Sequence, residues 1–349
     1  MYPALAVLQT MHAETEVLWV GGEGGMEALL VDRAKVPFKT IPAAGLHGVS
    51  LKALPGNVLR LVRGFFTARR ILNEFKPDVL FFTGGYVAVP VALAGMRIPT
   101  ALYVPDIEPG LALKTLARFA DKIAVTVKDS FRFFSRRERL VLSGYPVRAD
   151  LARWTRSEAF QALNLTNEAP VLLILGGSKG SHSINNAIQS FLEALLEITQ
   201  VVHISGELDW PIVDAMKKSL PEALSLRYHA FPYLHDEMGA ALAAADLVVS
   251  RAGASTLGEY PHFGLPAILV PYPHAWRYQK VNAESLVRHG AAMMIPDSDL
   301  ITELMPAITT LLHDPTRLNA MRAAAKSLAH PQAATEIGLL LNELAGKKR

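Results

Sequence analysis

The chain has no cysteine. That excludes disulfide bonds, thiolate metal sites and cysteine nucleophiles, and it suits a reducing compartment. Aromatic residues make up only 8% of the 349 residues and charged residues 19%, against 50% hydrophobic. Such a composition belongs to a globular chain and not to a disordered one. There is no low-complexity tract and no short-period repeat. The start lacks a basic stretch ahead of an apolar core, so no secretory signal is read there. The most apolar stretch, Val79–Gly95, is interrupted by Gly84, Gly85 and Pro90 and bracketed by Asp78 and Arg97. It is barely long enough to cross a bilayer. It reads as a buried strand, a glycine turn and a helix. The spacing of a Walker A loop is absent as well.

What is present points to an α/β protein. The length accommodates two domains, each with a core. Strand-like apolar runs at Val17–Val20, Val79–Phe82, Thr100–Tyr103, Lys122–Val125 and Leu140–Ser143 alternate with helical stretches in the first half. Val171–Leu175, Val201–Ile204, Leu247–Val249 and Ala267–Val270 do so in the second. That spacing predicts βα units and parallel sheets covered on both faces. The turn-rich joint Gly144–Asp150 predicts a first domain over 1–145 and a second over 146–332, with a closing helix in 333–349 packing back on the first. Residues 1–150 hold 19 Lys+Arg and 13 Asp+Glu, while 151–349 hold 16 and 19. A basic first half suggests an anionic surface or substrate there, against the alternative of ordinary variation in solvated charge. The opening Tyr2–Met11 reads as a helix with Pro3 in its first turn. A doubly wound domain would set a strand and a glycine turn before such a helix.

Four segments carry chemistry. In Asp246–Glu259 a buried run leads through a turn at Arg251–Gly253 into a helix opened by Ala254, Ser255 and Thr256. Amides at a helix N-terminus have no intrahelical partner and attract anions. Glu259, about one turn on, suits the two hydroxyls of a ribose. A capped strand–helix junction without a ligand is the other reading of this segment. Val171–Gly180 is a strand opening into a glycine-rich turn, where Ser178 adds a hydroxyl donor. Thr83–Tyr86 holds another glycine turn, at Gly84 and Gly85. Pro271–Ala283 clusters His274, Arg277, Tyr278, Gln279 and Asn282 after a strand, an arrangement suited to sugar hydroxyls.

Several of these segments, in this order, resemble glycosyltransferase family 28. The resemblance covers nearly the whole chain: Tyr2–Val7, Gly84–Val87, Pro146–Arg148, Gly176–Gly180, Arg251–Glu259, Gly264–Ala267, and Gln279 with Asn282 and Ala283. It implies a GT-B architecture of two Rossmann-like domains facing each other across a cleft. It also implies transfer of N-acetylglucosamine from UDP-N-acetylglucosamine to lipid I, giving lipid II in peptidoglycan synthesis with inversion. Arg148 and Ser178 would meet the nucleotide and its diphosphate. The backbone at Leu234 would read uracil. Ala254, Ser255, Thr256, Leu257 and Gly258 would hold the diphosphate and Glu259 the ribose. Gln279, with a weaker contribution from Tyr278, would bind the sugar. No metal or cofactor is implied, since a helix N-terminus stabilises the departing UDP. Gly84, Gly85, Tyr86 and Asp106 would form the acceptor-side phosphate turn. Leu54–Phe75 corresponds to the family's membrane-facing helix, where Leu59, Val62, Phe65 and Phe66 lie beside Arg60, Arg63, Arg69 and Arg70. Such a face suits anionic lipid, the other reading being an ordinary helix packed on a sheet. The implied location is the cytoplasmic face of the plasma membrane, peripherally bound, with no nucleic-acid partner.

Two departures from the family stand on the acceptor side. The family's first glycine loop, GGTGGH, with the histidine proposed as general base, would precede Met1. An upstream segment of about 15–20 residues, one strand plus its turn, is therefore expected. The family's His-Glu-Gln-Asn stretch reads Tyr103-Val104-Pro105-Asp106 here. The catalytic base is unknown at this level, with Asp106 and Glu108 as weak candidates. A different acceptor, or a non-catalytic UDP-sugar-binding role, are the alternatives.

Overall fold

The computed structural model describes every residue except Met26, 46–53, Ser178, Lys179, Ala275, Trp276 and 347–349. The chain divides into two compact units, Met1–Pro146 with Gln332–Arg349, and Val147–Pro331.

The first unit contains β1 (Trp19–Gly22), β2 (Phe38–Ile41), β3 (Leu80–Phe82), β4 (Thr100–Val104), β5 (Lys122–Val125) and β6 (Leu140–Leu142). β1 pairs with β2, and β3 to β6 form a separate four-stranded sheet in that order. All of these pairings are parallel. Among the described residues no strand joins β1 to β3. The first helix spans Tyr2–Leu8, shorter than its sequence pattern, with proline in its first turn. The last helix, Ala333–Ala345, lies against it: the Thr10 hydroxyl donates to the Ala334 carbonyl at 3.3 Å.

The 22-residue helix Leu54–Phe75 has two apolar faces. Gly64, Ala68, Ile71 and Leu72 are buried. Gly64 brings the helix so close to the chain after β2 that a Cβ there would sit 2.2 Å from the Pro42 carbonyl oxygen. Val58, Leu59, Val62 and Phe66 point outward and are 44–63% exposed.

The second unit contains β7 (Val171–Leu175), β8 (Gln200–Ile204), β9 (Tyr228–Phe231), β10 (Leu247–Ser250), β11 (Ala267–Leu269) and β12 (Ala292–Met294). They form one sheet in the order β12-β11-β10-β7-β8-β9, parallel throughout. β7, β8 and β10 are almost wholly buried, as a sheet covered on both faces requires. The chain leaves β7 outward through β8 and β9, then returns to the other side of β7 as β10. Asp246 sets that return. Its amide donates to the Val171 carbonyl at 2.8 Å, and its carboxylate accepts from the Val171 amide at 3.0 Å. Arg156 and Arg322 hold the same carboxylate at 2.9 and 3.3 Å.

β2, β9 and β12 were not among the expected runs. Phe38–Ile41 and Tyr228–Phe231 carry Lys39 and His229, and Ala292–Met294 is only three residues long with no β-branched or aromatic residue. Pairing to a neighbouring strand decides their conformation, which local composition does not report.

Replacing Gly64 by alanine is expected to destabilise the chain by about 1–3 kcal/mol, because backbone must move to admit the methyl group. Gly56→Ala, in the same helix with nothing within 4 Å of its would-be Cβ, is expected to be neutral or stabilising. Thermal unfolding of the two variants reads the difference.

Candidate functional site

The return of the chain to β10 places the two glycine turns of the second unit side by side. Leu175, the last residue of β7, pairs with Ser250, the last of β10. Both turns therefore leave the carboxyl edge of the sheet at the point where the strand order reverses, the usual binding crevice of an open α/β sheet.

The first turn needs its glycines. A Cβ on Gly176 would lie 2.1 Å from the Ser181 amide nitrogen. Gly177 and Gly180 have φ of +88° and +79°, which favours glycine. A Cβ on Gly180 would lie 2.2 Å from the Ser205 carbonyl oxygen. Ser178 lies outside the described residues, so its expected role has no geometry here.

The second turn differs from its expectation. Ala254–Leu257 is a single 3-10 turn, not the start of a long helix. Gly258 breaks it, at φ −134° and ψ −45°, and a five-residue helix Glu259–Phe263 follows. The Thr256 hydroxyl is buried and donates to the Gly253 carbonyl at 2.7 Å, so it serves the turn itself. Leu257 and Gly258 are buried, and the Gly258 amide donates to the Ser255 carbonyl at 3.0 Å, so both residues serve the turn itself. Ala254 and Ser255 are half-buried at the start of the turn. The first amides of a helical turn have no partner within it. Two clamps hold the turn from behind. Asn282 Nδ2 donates to the Ala252 carbonyl at 3.2 Å, and the buried Tyr260 hydroxyl donates to Ser250 Oγ at 2.7 Å.

Arg251 is committed to structure. Its guanidinium bonds the Asp297 carboxylate, the Val270 carbonyl at 3.2 Å and Ser183 Oγ at 2.7 Å. Ser183 in turn donates to Asp297 at 2.8 Å. The charge of Arg251 is thus neutralised within the fold.

Glu259 heads the short helix and is half-buried. Burial pushes its pKa up to about 7, partly opposed by a hydrogen bond from Ser255 and by the charge of Arg148. Arg148 lies 3.4 Å from the Asp150 carboxylate, so it stands between two acids. Gln279, in the first turn of helix Tyr278–Arg288, accepts the Tyr272 amide on Oε1 at 2.9 Å. Its carbonyl oxygen is engaged in holding the loop after β11, which leaves its amide group as the part suited to a sugar. Leu234 follows β9 and is buried, so any contact with a base there falls to its backbone. A third turn, Ser205–Gly206, follows β8 and was not among the expected segments. Its signal was the Ser-Gly pair directly after an apolar run. The Ser205 and Gly206 amides donate to the carbonyls of Phe231 and Pro232, both at 3.0 Å.

In the first unit, the turns after β3 and β4 are also neighbours, since Phe82 pairs with Leu102. Gly84 and Gly85 have φ of +121° and +87°, and Tyr86 is exposed beyond them. Thr126 donates to the Pro105 carbonyl at 2.8 Å and accepts from the buried Tyr103 hydroxyl at 2.7 Å. That fixes the turn carrying Asp106, which is half-buried. Glu108 is only 3% exposed and bonds Lys114 at 3.2 Å, an environment that counts against a proton acceptor. On the long helix, Leu59, Val62 and Phe66 are exposed, whereas Phe65 is half-buried with its ring 5.4 Å from that of Phe66. Arg60, Arg63, Arg69 and Arg70 are exposed on the same helix.

Comparison with known proteins agrees with this geometry. The Glycosyltransferase family 28 N-terminal domain matches residues 1–125, and the Glycosyltransferase family 28 C-terminal domain matches residues 171–337. A UDP-N-acetylglucosamine--N-acetylmuramyl-(pentapeptide) pyrophosphoryl-undecaprenol N-acetylglucosamine transferase from Roseiflexus sp. is 39% identical over 97% of this chain and 86% of its own. The protein of the same name from Desulforudis audaxviator is 38% identical, over 99% and 96% of the two chains. The crystal structure of MurG from Acinetobacter baumannii superposes with a TM-score of 0.77 at 27% identity, covering 98% of this chain and 95% of that one. A UDP-GlcNAc 2-epimerase from Neisseria meningitidis, at 15% identity and a TM-score of 0.66 over 97% and 95%, shares the fold. The chain belongs to glycosyltransferase family 28 and has the GT-B fold.

Proposed function

We propose that this chain transfers N-acetylglucosamine from UDP-N-acetylglucosamine to lipid I, the undecaprenyl-diphospho-N-acetylmuramoyl pentapeptide, forming lipid II with inversion. The observation that carries the reading is the pair of glycine turns leaving adjacent strands β7 and β10 beside the Glu259 carboxylate. The Ala254 and Ser255 amides that open the turn meet the diphosphate, those of Thr256 and Gly258 being spent on the Gly253 and Ser255 carbonyls. Glu259 accepts both ribose hydroxyls, and Arg148 balances its charge. The Leu234 backbone reads uracil, Gln279 and Tyr278 meet the sugar, and Ser178 offers its hydroxyl to the donor diphosphate. In the reaction the acceptor hydroxyl oxygen bonds to the anomeric carbon as the bond to the diphosphate breaks. The electron pair leaves with UDP, whose charge is met by the amides. The hydroxyl proton passes to a carboxylate, a role that Asp106 fits better than Glu108. Gly84, Gly85 and Tyr86 belong to the acceptor side.

Membrane attachment is part of the reading. No helix among the described residues is long and apolar enough to cross a bilayer. The outward stripe of the helix Leu54–Phe75, with its arginines, suits a peripheral seat on anionic lipid at the cytoplasmic face. The direct test is transfer of labelled N-acetylglucosamine to a lipid I analogue. Transfer to another lipid acceptor only, or binding of the donor without any transfer, would overturn the assignment.

Four outcomes are expected. Affinity for UDP-N-acetylglucosamine, whose diphosphate does not titrate between pH 6 and 8, should weaken as pH falls through about 7, because ribose hydroxyls bond best to the ionised carboxylate. Glu259→Gln should lose about tenfold or more at pH 8 and bind with no pH dependence over that range. The sign for folding is opposite. The folded pKa lies above the unfolded one, so stability from this group is present below the unfolded value of 4.5 and lost as pH rises through about 7. The ligand-free Glu259→Gln protein should therefore melt higher than the parent at pH 8. Finally, Leu59→Ser with Phe66→Ser should reduce sedimentation with anionic vesicles while the melting temperature stays unchanged, since both side chains are exposed.

A further inference from the structure

A buried polar chain runs beneath the turns after β7 and β8, on the side of β7 away from β10 and Glu259. It consists of Tyr228 on β9, His203 on β8 and Asn185 on helix His182–Ile198, with exposures of 1%, 0% and 4%. His203 Nδ1 lies 2.7 Å from the Tyr228 hydroxyl, and its Nε2 lies 3.0 Å from Asn185 Oδ1. Asn185 Nδ2 donates to the Ser205 carbonyl at 2.9 Å and to Asp209 Oδ2 at 2.7 Å. The other oxygen of Asp209 lies 3.0 Å from His182 Nδ1, at the exposed end of the chain.

These partners fix every proton. Two acceptors, Ser205 O and Asp209, require the Asn185 amide nitrogen on their side. Its oxygen therefore faces His203, so His203 carries its proton on Nε2 and accepts from Tyr228 on Nδ1. Burial pushes the His203 pKa down to about 4, the nearby charge of Asp209 opposing it, which keeps the ring neutral.

The chain ends on the Ser205 carbonyl, which lies against Cα of Gly180, 2.2 Å from where a Cβ would stand. The Ser205 amide also bonds the last residue of β9, and the Gly206 amide bonds Pro232 just after it. A shift of this carbonyl thus moves the glycine turn on one side and the segment leading to Leu234 on the other. We propose that Tyr228, His203 and Asn185 are positioning residues that hold Gly180 and the Ser205–Gly206 turn in the arrangement that binds a nucleoside diphosphate. This rests on the assignment of these turns to the UDP-sugar donor. The chain contributes no contact to the donor. It sets how well the donor is held, and the bond-making step is left to other residues.

Three measurements on the full chain test this. In the unaltered protein, nitrogen–proton correlation of the His203 ring should show the neutral Nε2–H tautomer between pH 6 and 8. An Nδ1–H or doubly protonated ring would overturn the proposal without any variant. Asn185→Ala should raise KM for UDP-N-acetylglucosamine and Kd for UDP by about fivefold or more, with kcat changed by less than about twofold. Tyr228→Phe, the milder change, should raise both in the same sense by about threefold while the protein stays folded. Folded Tyr228→Phe with unchanged UDP affinity, or a loss confined to kcat, would overturn the positioning role. Glu259→Gln separates the two levels of inference, because it should lose UDP affinity while leaving the His203 tautomer as in the parent. If the unaltered chain binds no UDP, the donor assignment fails, and this inference falls with it. If it binds UDP and the Tyr228 and Asn185 variants bind equally well, only the positioning role fails.

Discussion

The pairing of β10 with β7 is the constraint on which the second unit depends. The two strands are far apart in sequence, and nothing local brings them together. Asp246 does so by donating its amide to the strand it joins and accepting that strand's amide on its carboxylate. Two arginines from separate helices hold the same carboxylate. Because side chains alternate along a strand, a slip of one residue would turn every side chain of β10 to the opposite face of the sheet. It would also break the alignment of Leu175 with Ser250 and separate the turns that follow them. The register at the amino edge of the sheet thus determines the geometry at the carboxyl edge.

Much of this was legible in the chain. The glycine turns stood out because a buried parallel strand is a continuous apolar run and the residues after it must make a sharp exit. Gly176, Gly177 and Gly180 are required by close approach or positive φ, a demand that leaves a mark in sequence. Glu259 was legible by its distance from the turn. The break at Gly258 was not, because a 3-10 turn and the first turn of an α-helix have the same residue preferences. Thr256 looked like a ligand donor, yet its hydroxyl closes the turn, as threonine does readily at such positions. Arg251 carried no sign of its fate, which is set by Asp297 and Ser183 arriving from elsewhere.

The helix Leu54–Phe75 shows the limit of reading periodicity. Periodicity alone lets its apolar stripe face either lipid or sheet. The fold uses both sides, one formed by small residues with Ile71 and Leu72, the other by Val58, Leu59, Val62 and Phe66. Glycine at position 64 makes this workable, because close approach on a narrow face frees the bulky residues for the opposite one. A likewise hidden feature is His203. A histidine inside an apolar strand is a signal, but its partners lie on two other elements.

The neutralisation of Arg251 by Asp297 separates capture from grip. With that charge consumed, the turn after β10 offers a diphosphate mainly amide dipoles, whose field decays faster with distance than that of a net charge. Such a turn discriminates on contact and exerts little pull from afar. A net positive charge resides instead in the first 150 residues, where Lys and Arg exceed Asp and Glu by six, and a net charge of that sign acts on anions over a longer range. Raised salt should accordingly slow the encounter with anionic surfaces more than it loosens a nucleotide already seated.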